Sequence, residues 1–117
     1  MVAEKIFYVT IILVIVLDIE YDLGDLKFEW DSEKAKINFK KHKIKFENAA
    51  LVFLDENLIE GYDELHSDDE DRIKVVGRVE KVLVVIYTER SDRYRIISAR
   101  QATKFEREEY YEQFSFV

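Results

Sequence analysis

The chain has 117 residues, contains no cysteine and carries a formal net charge of −7. This length allows a single domain with a core large enough to fold without a metal or a disulfide. The absence of cysteine excludes disulfides, cysteine–zinc sites and thiol nucleophiles, and only two histidines argue against a structural zinc site. The charge is uneven, because residues 34–45 hold six lysines and no acid, whereas residues 63–71 hold six acids.

The N-terminal segment is apolar from residue 6 to residue 17, with one threonine. It is shorter than the roughly 20 residues that a membrane span requires, although its length suits the core of a signal peptide. A single preceding lysine and the following Asp-Ile-Glu argue against a cleaved signal, and the β-branched content favours a strand. We assign residues 1–25 to an apolar extension and residues 26–117 to the folded domain. The extension is either a strand or a segment upstream of the true start.

A short strand and two helices are predicted next. Residues 27–30 are typical of a strand, and Asp31 suits a helix N-cap because its carboxylate can accept from first-turn amides. The charged segment 32–43 forms the first predicted helix. Residues 46–54 form the second, whose alanine, valine and phenylalanine side chains offer an apolar surface.

The second half of the chain is predicted to form a sheet. Strands are indicated at residues 58–62, 72–79, 82–87 and 93–100, with turns at 80–81 and 91–92. Thr103 and Glu106 form a capping box that begins a C-terminal helix. The predicted fold class is α+β, with a short N-terminal strand, two helices, an antiparallel sheet of about four strands and a C-terminal helix.

Arginine is concentrated in this predicted sheet. The seven arginines are Arg72, Arg78, Arg90, Arg93, Arg95, Arg100 and Arg107. Strict alternation along the last strand predicts that Arg93 and Arg95 share one face and that Arg100 lies on the other. The planar guanidinium suits phosphate oxygens, so a concave face with several arginines could hold an RNA backbone. The alternative is that these arginines pair with the many acids of the chain.

Both histidines lie in charged surroundings. His42 follows Lys40 and Lys41, and an imidazole in this basic segment is a candidate general base. The alternative for His42 is an exposed or core-capping side chain, and the lysine run can equally be a solvated helix face. His66 lies among acids and is expected to order a loop. Glycine-rich phosphate loops, His-Glu-x-x-His, calcium-loop spacing and a serine triad are all missing from the sequence, so no cofactor is expected.

Motifs between residues 28 and 112 resemble the BrnT family of toxins in order and spacing. The motifs are Phe28-Glu29-Trp30-Asp31, Lys41-His42-x-Ile44-x-Phe46-Glu47-x-Ala49, Val52-Phe53-x-Asp55, Glu70-x-Arg72, Gly77, Val85-Ile86-Tyr87-Thr88-Glu89-Arg90, Arg95-Ile96-Ile97-Ser98-Ala99-Arg100-x-Ala102-Thr103 and Arg107-Glu108-x-Tyr110. Residues 1–25 lie outside this resemblance. The sequence departs from the family pattern at Ser32, where proline is common, at Lys43, where glycine is common, and at Gln101, where a basic residue is usual.

The resemblance implies a toxin of a type II toxin–antitoxin system with a RelE-like fold. Such proteins are similar to ribonucleases that block translation, act in the cytoplasm and are neutralised by a BrnA-like antitoxin. Operon DNA would be reached only through that antitoxin, and a membrane role is not expected. The alternative is a non-catalytic toxin-like module that serves as antitoxin partner and promoter corepressor, an interpretation that Gln101 and the acidic bias favour.

The implied reaction is metal-independent RNA cleavage through the 2′-hydroxyl. The protein must then orient the RNA backbone, help to move a proton and stabilise charge on the phosphorane. The predicted catalytic residues are Arg72, Arg90 and Arg100 for the phosphate, and Lys41 and His42 for the base and acid roles, with Glu47 a weaker candidate. The predicted RNA-binding residues are Lys40, Lys45 and Arg95.

Overall fold

The computed structural model describes residues 17–63 and 70–115. Its elements in chain order are β1 (Asp18–Leu23), β2 (Leu26–Asp31), α1 (Ser32–His42), α2 (Phe46–Ala50), a 3₁₀ turn (Leu51–Leu54), β3 (Ile59–Tyr62), β4 (Ile73–Val79), β5 (Lys81–Arg90), β6 (Arg93–Gln101) and α3 (Lys104–Glu112). Most of the apolar N-terminal run, and His66 with most of the acidic segment, lie outside the described residues. No helix in the described residues is long and apolar enough to cross a membrane.

The strands form one six-stranded sheet in the order β1-β2-β6-β5-β4-β3. Neighbouring strands are antiparallel except β2 and β6, which are parallel. The α+β class is confirmed and the four predicted strands β3 to β6 are antiparallel, but the sheet has six strands because the β1–β2 hairpin joins it through the parallel pairing of β2 with β6. The local pattern along residues 18–31 does not reveal that a hairpin there joins the far side of the C-terminal strand, because that pairing spans more than sixty residues of sequence.

The predicted boundary between residues 25 and 26 falls at the end of the turn of the β1–β2 hairpin. The two strands pair along all six residues of each, from Asp18 opposite Asp31 to Leu23 opposite Leu26. Gly24 takes a positive φ of 62° in this turn, a conformation that glycine adopts without strain. Strand β1 therefore belongs to the same sheet as the rest of the domain.

The predicted helix caps are confirmed. Asp31 Oδ1 accepts from the backbone N–H groups of Glu33 at 2.8 Å and Lys34 at 3.0 Å. Helix α1 ends at His42 and is capped by Lys43, whose φ of 61° is left-handed and whose N–H donates to the Phe39 carbonyl. A lysine therefore occupies the position where the family commonly has glycine, at some conformational cost.

The second predicted helix is shorter than expected. It consists of the five residues of α2 followed by the 3₁₀ turn, which presses Val52 against strand β4. A Cβ atom at Gly77 would lie 2.6 Å from Cγ1 of Val52, so only glycine allows this close approach. The tight packing explains why Gly77 is the residue of β4 that the family motif includes.

The sheet has one helical layer on each face. On one face, which we call the α1 face, Phe28, Val75 and Val85 of the sheet pack against α1, α2 and the 3₁₀ turn. These elements contribute Phe46 and Val52 to the core. The α3 face packs a smaller cluster under helix α3. Its buried members are Val76, Val82, Val84, Ala102 and Tyr110. Helix α3 covers only part of its face, and the charged side chains described below occupy the remainder.

Candidate functional site

A β-bulge in β6 decides where the arginines of this strand point. Tyr87 lies opposite Ile96, but Ile86 lies opposite Ser98, so one extra residue is inserted in β6. An inserted residue inverts the alternation of the side chains that follow it.

Arg95 and Arg100 therefore share one face of the sheet. Arg95 lies opposite Thr88 and Arg100 lies opposite Val84, and these two β5 residues are four positions apart. Since side chains four positions apart in a regular strand point the same way, both arginines lie on the α3 face. The prediction that Arg100 lies on the face opposite Arg95 is wrong, because it assumed strict alternation through the bulge.

The α3 face collects basic side chains from three strands. The register places there Arg72 (just before β4), Lys74 and Arg78 from β4, Arg90 from β5, and Arg93, Arg95 and Arg100 from β6. We call these seven residues the basic face. Three of the predicted catalytic residues, Arg72, Arg90 and Arg100, belong to it.

Glu106 organises one group of cations on the basic face. Its side chain is 9% exposed and accepts from both terminal nitrogens of Arg100, at 2.7 and 3.0 Å. The Lys74 ammonium lies 2.7 Å from the same carboxylate. The hydrogen bonds from Arg100, joined by those from Lys74 and the Thr103 N–H, hold the pKa of Glu106 well below its usual range. The carboxylate therefore stays ionised and keeps Lys74 beside Arg100.

The sequence prediction missed Lys74 as a member of this group. Alternation along β4 places Lys74 between Arg72 and Arg78 on the same face, so the signal was present in the strand pattern. The role of Glu106 was seen only as a helix cap. Its contact with Arg100 depends on helix α3 folding back over the sheet, which no local pattern indicates.

Arg72 and Arg90 share a different carboxylate. Nε of Arg72 and Nη2 of Arg90 each lie 3.8 Å from Glu70, beyond hydrogen-bond length. The Arg90 side chain is 54% exposed. Ion pairs of this length near the surface contribute little free energy, so Arg90 can exchange Glu70 for another anion at low cost.

Arg93 and Arg95 are held more tightly by the N-terminal hairpin. Arg93 contacts Asp22 at 2.8 Å and Glu20 at 3.1 Å. Arg95 contacts Asp18 at 3.2 Å and also pairs with Glu29. Their side chains are only 16% and 14% exposed, so acids of β1 and β2 occupy the positions that an external anion would take.

The basic end of α1 lies on the other side of the sheet. Asn38 of this helix donates to the Ala99 carbonyl at 2.9 Å and accepts from the Ala99 N–H at 3.1 Å. Ala99 belongs to the core of the α1 face. The predicted site residues are thus divided between the two faces of the sheet. The arginines lie on the basic face, and the residues on the α1 side are Lys40, Lys41, His42, Lys45 and Glu47.

The side chains at this end of α1 are available to solvent. Lys40, Lys41, Lys45 and Glu47 are exposed and His42 is half-buried. Within residues 17–63 and 70–115, the side chains of Lys40, Lys41, His42 and Lys45 make no hydrogen bond or ion pair. In the same part of the chain, no cluster of three His, Asp or Glu side chains could hold a metal ion.

An Asp55–Tyr110 contact anchors helix α3 beside Arg78, several residues along α3 and β4 from the group around Glu106. Asp55 Oδ2 accepts from the Tyr110 hydroxyl at 2.6 Å and from the Arg78 N–H at 2.8 Å. Burial and the contact with Asp55 raise the pKa of Tyr110 to about 12. Although burial opposes ionisation of Asp55, hydrogen bonds from Tyr110 and two backbone amides hold its pKa below the usual value. This contact fixes the helix that carries Glu106.

Comparison with known proteins agrees with the sequence motifs. A family model described as "Ribonuclease toxin, BrnT, of type II toxin-antitoxin system" matches residues 30–106. All seven residues of the basic face and Glu106 lie in the matched part, and β1 lies outside it. The chain is also similar to the crystal structure of the ribonuclease toxin BrnT from Brucella abortus, with 23% identity and a TM-score of 0.49 over 64% of this chain and 94% of that chain. No curated protein matches the chain.

Proposed function

Because the chain belongs to the BrnT family of ribonuclease toxins of type II toxin–antitoxin systems, we propose that it cleaves RNA on its basic face. In this proposal it is a RelE-like, cytoplasmic toxin that inhibits translation. Membership of a type II family implies an antitoxin partner, and we propose a BrnA-like protein that also reaches the operon DNA.

The observation that carries this proposal is the collection of seven cations from three strands on one face of the sheet. Guanidinium groups stay charged at neutral pH and bind phosphate oxygens in a planar, two-pronged geometry. An array of them spaced along neighbouring strands matches the repeated charge of a nucleic-acid backbone. The net charge of −7 does not exclude this function, because Arg90 of the basic face is 54% exposed and its contact with Glu70 is 3.8 Å long.

In the proposed reaction the 2′-hydroxyl of the RNA attacks the adjacent phosphate. The nucleophile belongs to the substrate, so the protein contributes orientation, proton transfer and charge stabilisation. Arg72 and Arg90 bind the scissile phosphate, and Arg100 stabilises the phosphorane. Lys74 adds a second cation beside Arg100, since both contact Glu106. This chemistry requires no metal ion or cofactor.

The assignment of proton transfer depends on the path of the RNA. Lys41 and His42, with Glu47 as a weaker candidate, belong to elements that pack on the opposite face from Arg100. They can act only on RNA that passes around the end of the sheet from the basic face. Lys40 and Lys45 would contact the backbone along the same path.

The proposal is tested by RNA cleavage and by growth arrest on expression without a partner gene. Removing one donor that stabilises a developing oxyanion costs roughly 10²–10³ in rate, so Arg100→Ala should lose activity by that factor. Lys104→Gln is the matched control, because it removes one exposed cation whose single ion pair among the described residues is with Glu108, at 3.9 Å. Equal activity of Arg100→Ala and the parent would contradict the role of Arg100.

A second candidate function is a non-catalytic module that binds the antitoxin and acts as a promoter corepressor. The ion pairs of Arg93, Arg95 and Arg100 favour it, because each of these guanidinium groups already contacts a carboxylate. Gln101 also removes a positive charge that is usual in the family. Folded protein that causes no arrest and cleaves no RNA, yet still binds its antitoxin, would support this module and contradict the ribonuclease.

A further inference from the structure

Strand β1 carries an acidic side chain at every second position. Asp18, Glu20 and Asp22 therefore lie on one face of the strand. Glu20 lies opposite Glu29, and Glu29 pairs with Arg95 on the basic face. The three acids of β1 consequently point to the same side of the sheet as the basic face, and we call them the β1 acids.

The β1 acids contact two of the seven cations. The guanidinium nitrogens of Arg93 lie 2.8 Å from a carboxylate oxygen of Asp22 and 3.1 Å from one of Glu20. A guanidinium nitrogen of Arg95 lies 3.2 Å from a carboxylate oxygen of Asp18. Carboxylate oxygens accept from guanidinium in the same planar geometry as phosphate oxygens. At these two arginines the hairpin thus occupies the positions that an RNA phosphate would take.

The cations of the basic face therefore differ in their access to an anion. Arg93 and Arg95 are 16% and 14% exposed, whereas Arg90 is 54% exposed and its contact with Glu70 is 3.8 Å long. Strand β1 lies outside the matched residues 30–106. The element that covers Arg93 and Arg95 is thus an addition to the part of the chain that the family model describes.

We propose that the β1 acids are an internal phosphate mimic that withholds Arg93 from RNA and, together with Glu29, also withholds Arg95. They direct the RNA backbone to Arg72, Lys74, Arg90 and Arg100, and so determine how many phosphates the protein contacts. This inference rests on the proposed function, since it assumes that the basic face binds RNA.

The number of phosphate contacts can be read from the salt dependence of binding. Each contact with single-stranded nucleic acid changes the slope of log K against log salt by about 0.7. Replacing the β1 acids leaves Arg93 without these carboxylates but leaves Arg95 paired with Glu29. The slope should therefore steepen by about 0.7, and binding should tighten roughly fourfold at physiological salt.

The test compares the full chain with the triple variant Asp18→Asn, Glu20→Gln, Asp22→Asn. The probe is a single-stranded RNA with 2′-O-methyl riboses, which binds but cannot be cleaved. The control is Glu33→Gln, Glu56→Gln, Glu112→Gln, which removes the same charge from three exposed positions. Within the part of the chain that the structure describes, none of these three acids pairs with the basic face.

Three results would support the inference. The triple variant binds about fourfold tighter with a steeper salt slope, the control changes the slope little, and adding Arg93→Gln to the triple variant abolishes the gain. If the triple variant does not fold by circular dichroism, the milder Glu20→Gln, Asp22→Asn variant also releases Arg93 and should give the same change in slope.

The remaining outcomes separate the two proposals. In one outcome, the parent protein binds the probe through Arg72 and Arg90, but the triple variant binds no more tightly than the control. This result overturns the inference and leaves the proposed function intact. A gain that survives replacement of Arg93 also overturns it. Failure of both the parent and the triple variant to bind RNA overturns this inference and contradicts the proposed function.

Discussion

Arg90 and Arg93 lie opposite each other in the β5–β6 pairing but differ in their contacts. Arg90 lies 3.8 Å from Glu70, whereas Arg93 contacts two acids of β1 at 2.8 and 3.1 Å. The neighbouring strand makes the difference, since among the described residues the acids of edge strand β1 contact Arg93 and not Arg90. A count of arginines therefore does not measure how much phosphate a face can bind, because availability depends on the neighbouring strand.

The largest expected effect compares the arginines near Glu70 with the arginines that pair with acids of the hairpin. Replacing both Arg72 and Arg90 with Gln should slow RNA cleavage by at least about 10²-fold, because groups that contact the reacting phosphate are lost. Replacing Arg93 and Arg95 with Gln should change the rate far less, since their contacts are internal. Single-turnover cleavage of one RNA by both double variants measures the contrast. Equal losses in the two variants would mean that RNA displaces the β1 acids.

The next effect concerns the carboxylate that organises Arg100 and Lys74. Glu106→Gln should lower the free energy of unfolding by about 2 kcal/mol, less than a fully buried pair would cost because both cations are partly exposed. Urea unfolding measures this loss. Glu108→Gln is the matched control, because it removes the same charge from an exposed position of helix α3 whose contact with Lys104 is 3.9 Å long.

Glu106 also predicts a pH dependence. Its pKa is lower in the folded protein than the unfolded value near 4.5, so its contribution is complete above that pH and declines as pH falls toward the folded pKa. The free energies of unfolding of Glu106→Gln and the parent should therefore differ at neutral pH and converge as the pH is lowered. A difference in stability that stays constant down to the most acidic pH would contradict this linkage.

A smaller effect is expected at the contact that anchors helix α3. Tyr110→Phe removes the 2.6 Å hydrogen bond to Asp55 and should destabilise the fold by about 1 kcal/mol. The Tyr110 pKa is raised to about 12, so its contribution is complete below the unfolded value of about 10 and is lost as pH rises through the folded value. The unfolding free energies of parent and variant should differ at pH 8 and converge near pH 12.

The smallest expected effect is at the hairpin. Asp18→Asn removes one partly exposed ion pair with Arg95 and should cost about 0.5 kcal/mol or less. Glu29 continues to hold Arg95 in this variant. Thermal unfolding at low and high salt checks the value, and a loss larger than that of Glu106→Gln would show that the hairpin holds the sheet together.

The sequence by itself determined the local elements and the family. Asp31 and the Thr103–Glu106 capping box begin helices because their side chains satisfy amides within three residues. Glu80 and Ser91 take positive φ values of 61° and 55° where tight turns were predicted. The spacing of motifs identified the BrnT family, because motifs are preserved in chain order. All of these features depend on residues that are neighbours in sequence.

Only the tertiary structure decided which of these residues meet. Ile96 and Ile97 are both apolar, so the pattern of polar and apolar residues does not show which of the two faces the core. The bulge that places Arg100 on the same face as Arg95 therefore cannot be predicted from the sequence. The pairing of β2 with β6 brings the N-terminal acids to Arg93 and Arg95 across more than sixty residues. Contacts of this kind depend on sheet order and register, which local side-chain patterns do not encode. The sequence therefore shows where the charges lie along the chain, but only the arrangement of the sheet shows which arginines already contact a carboxylate.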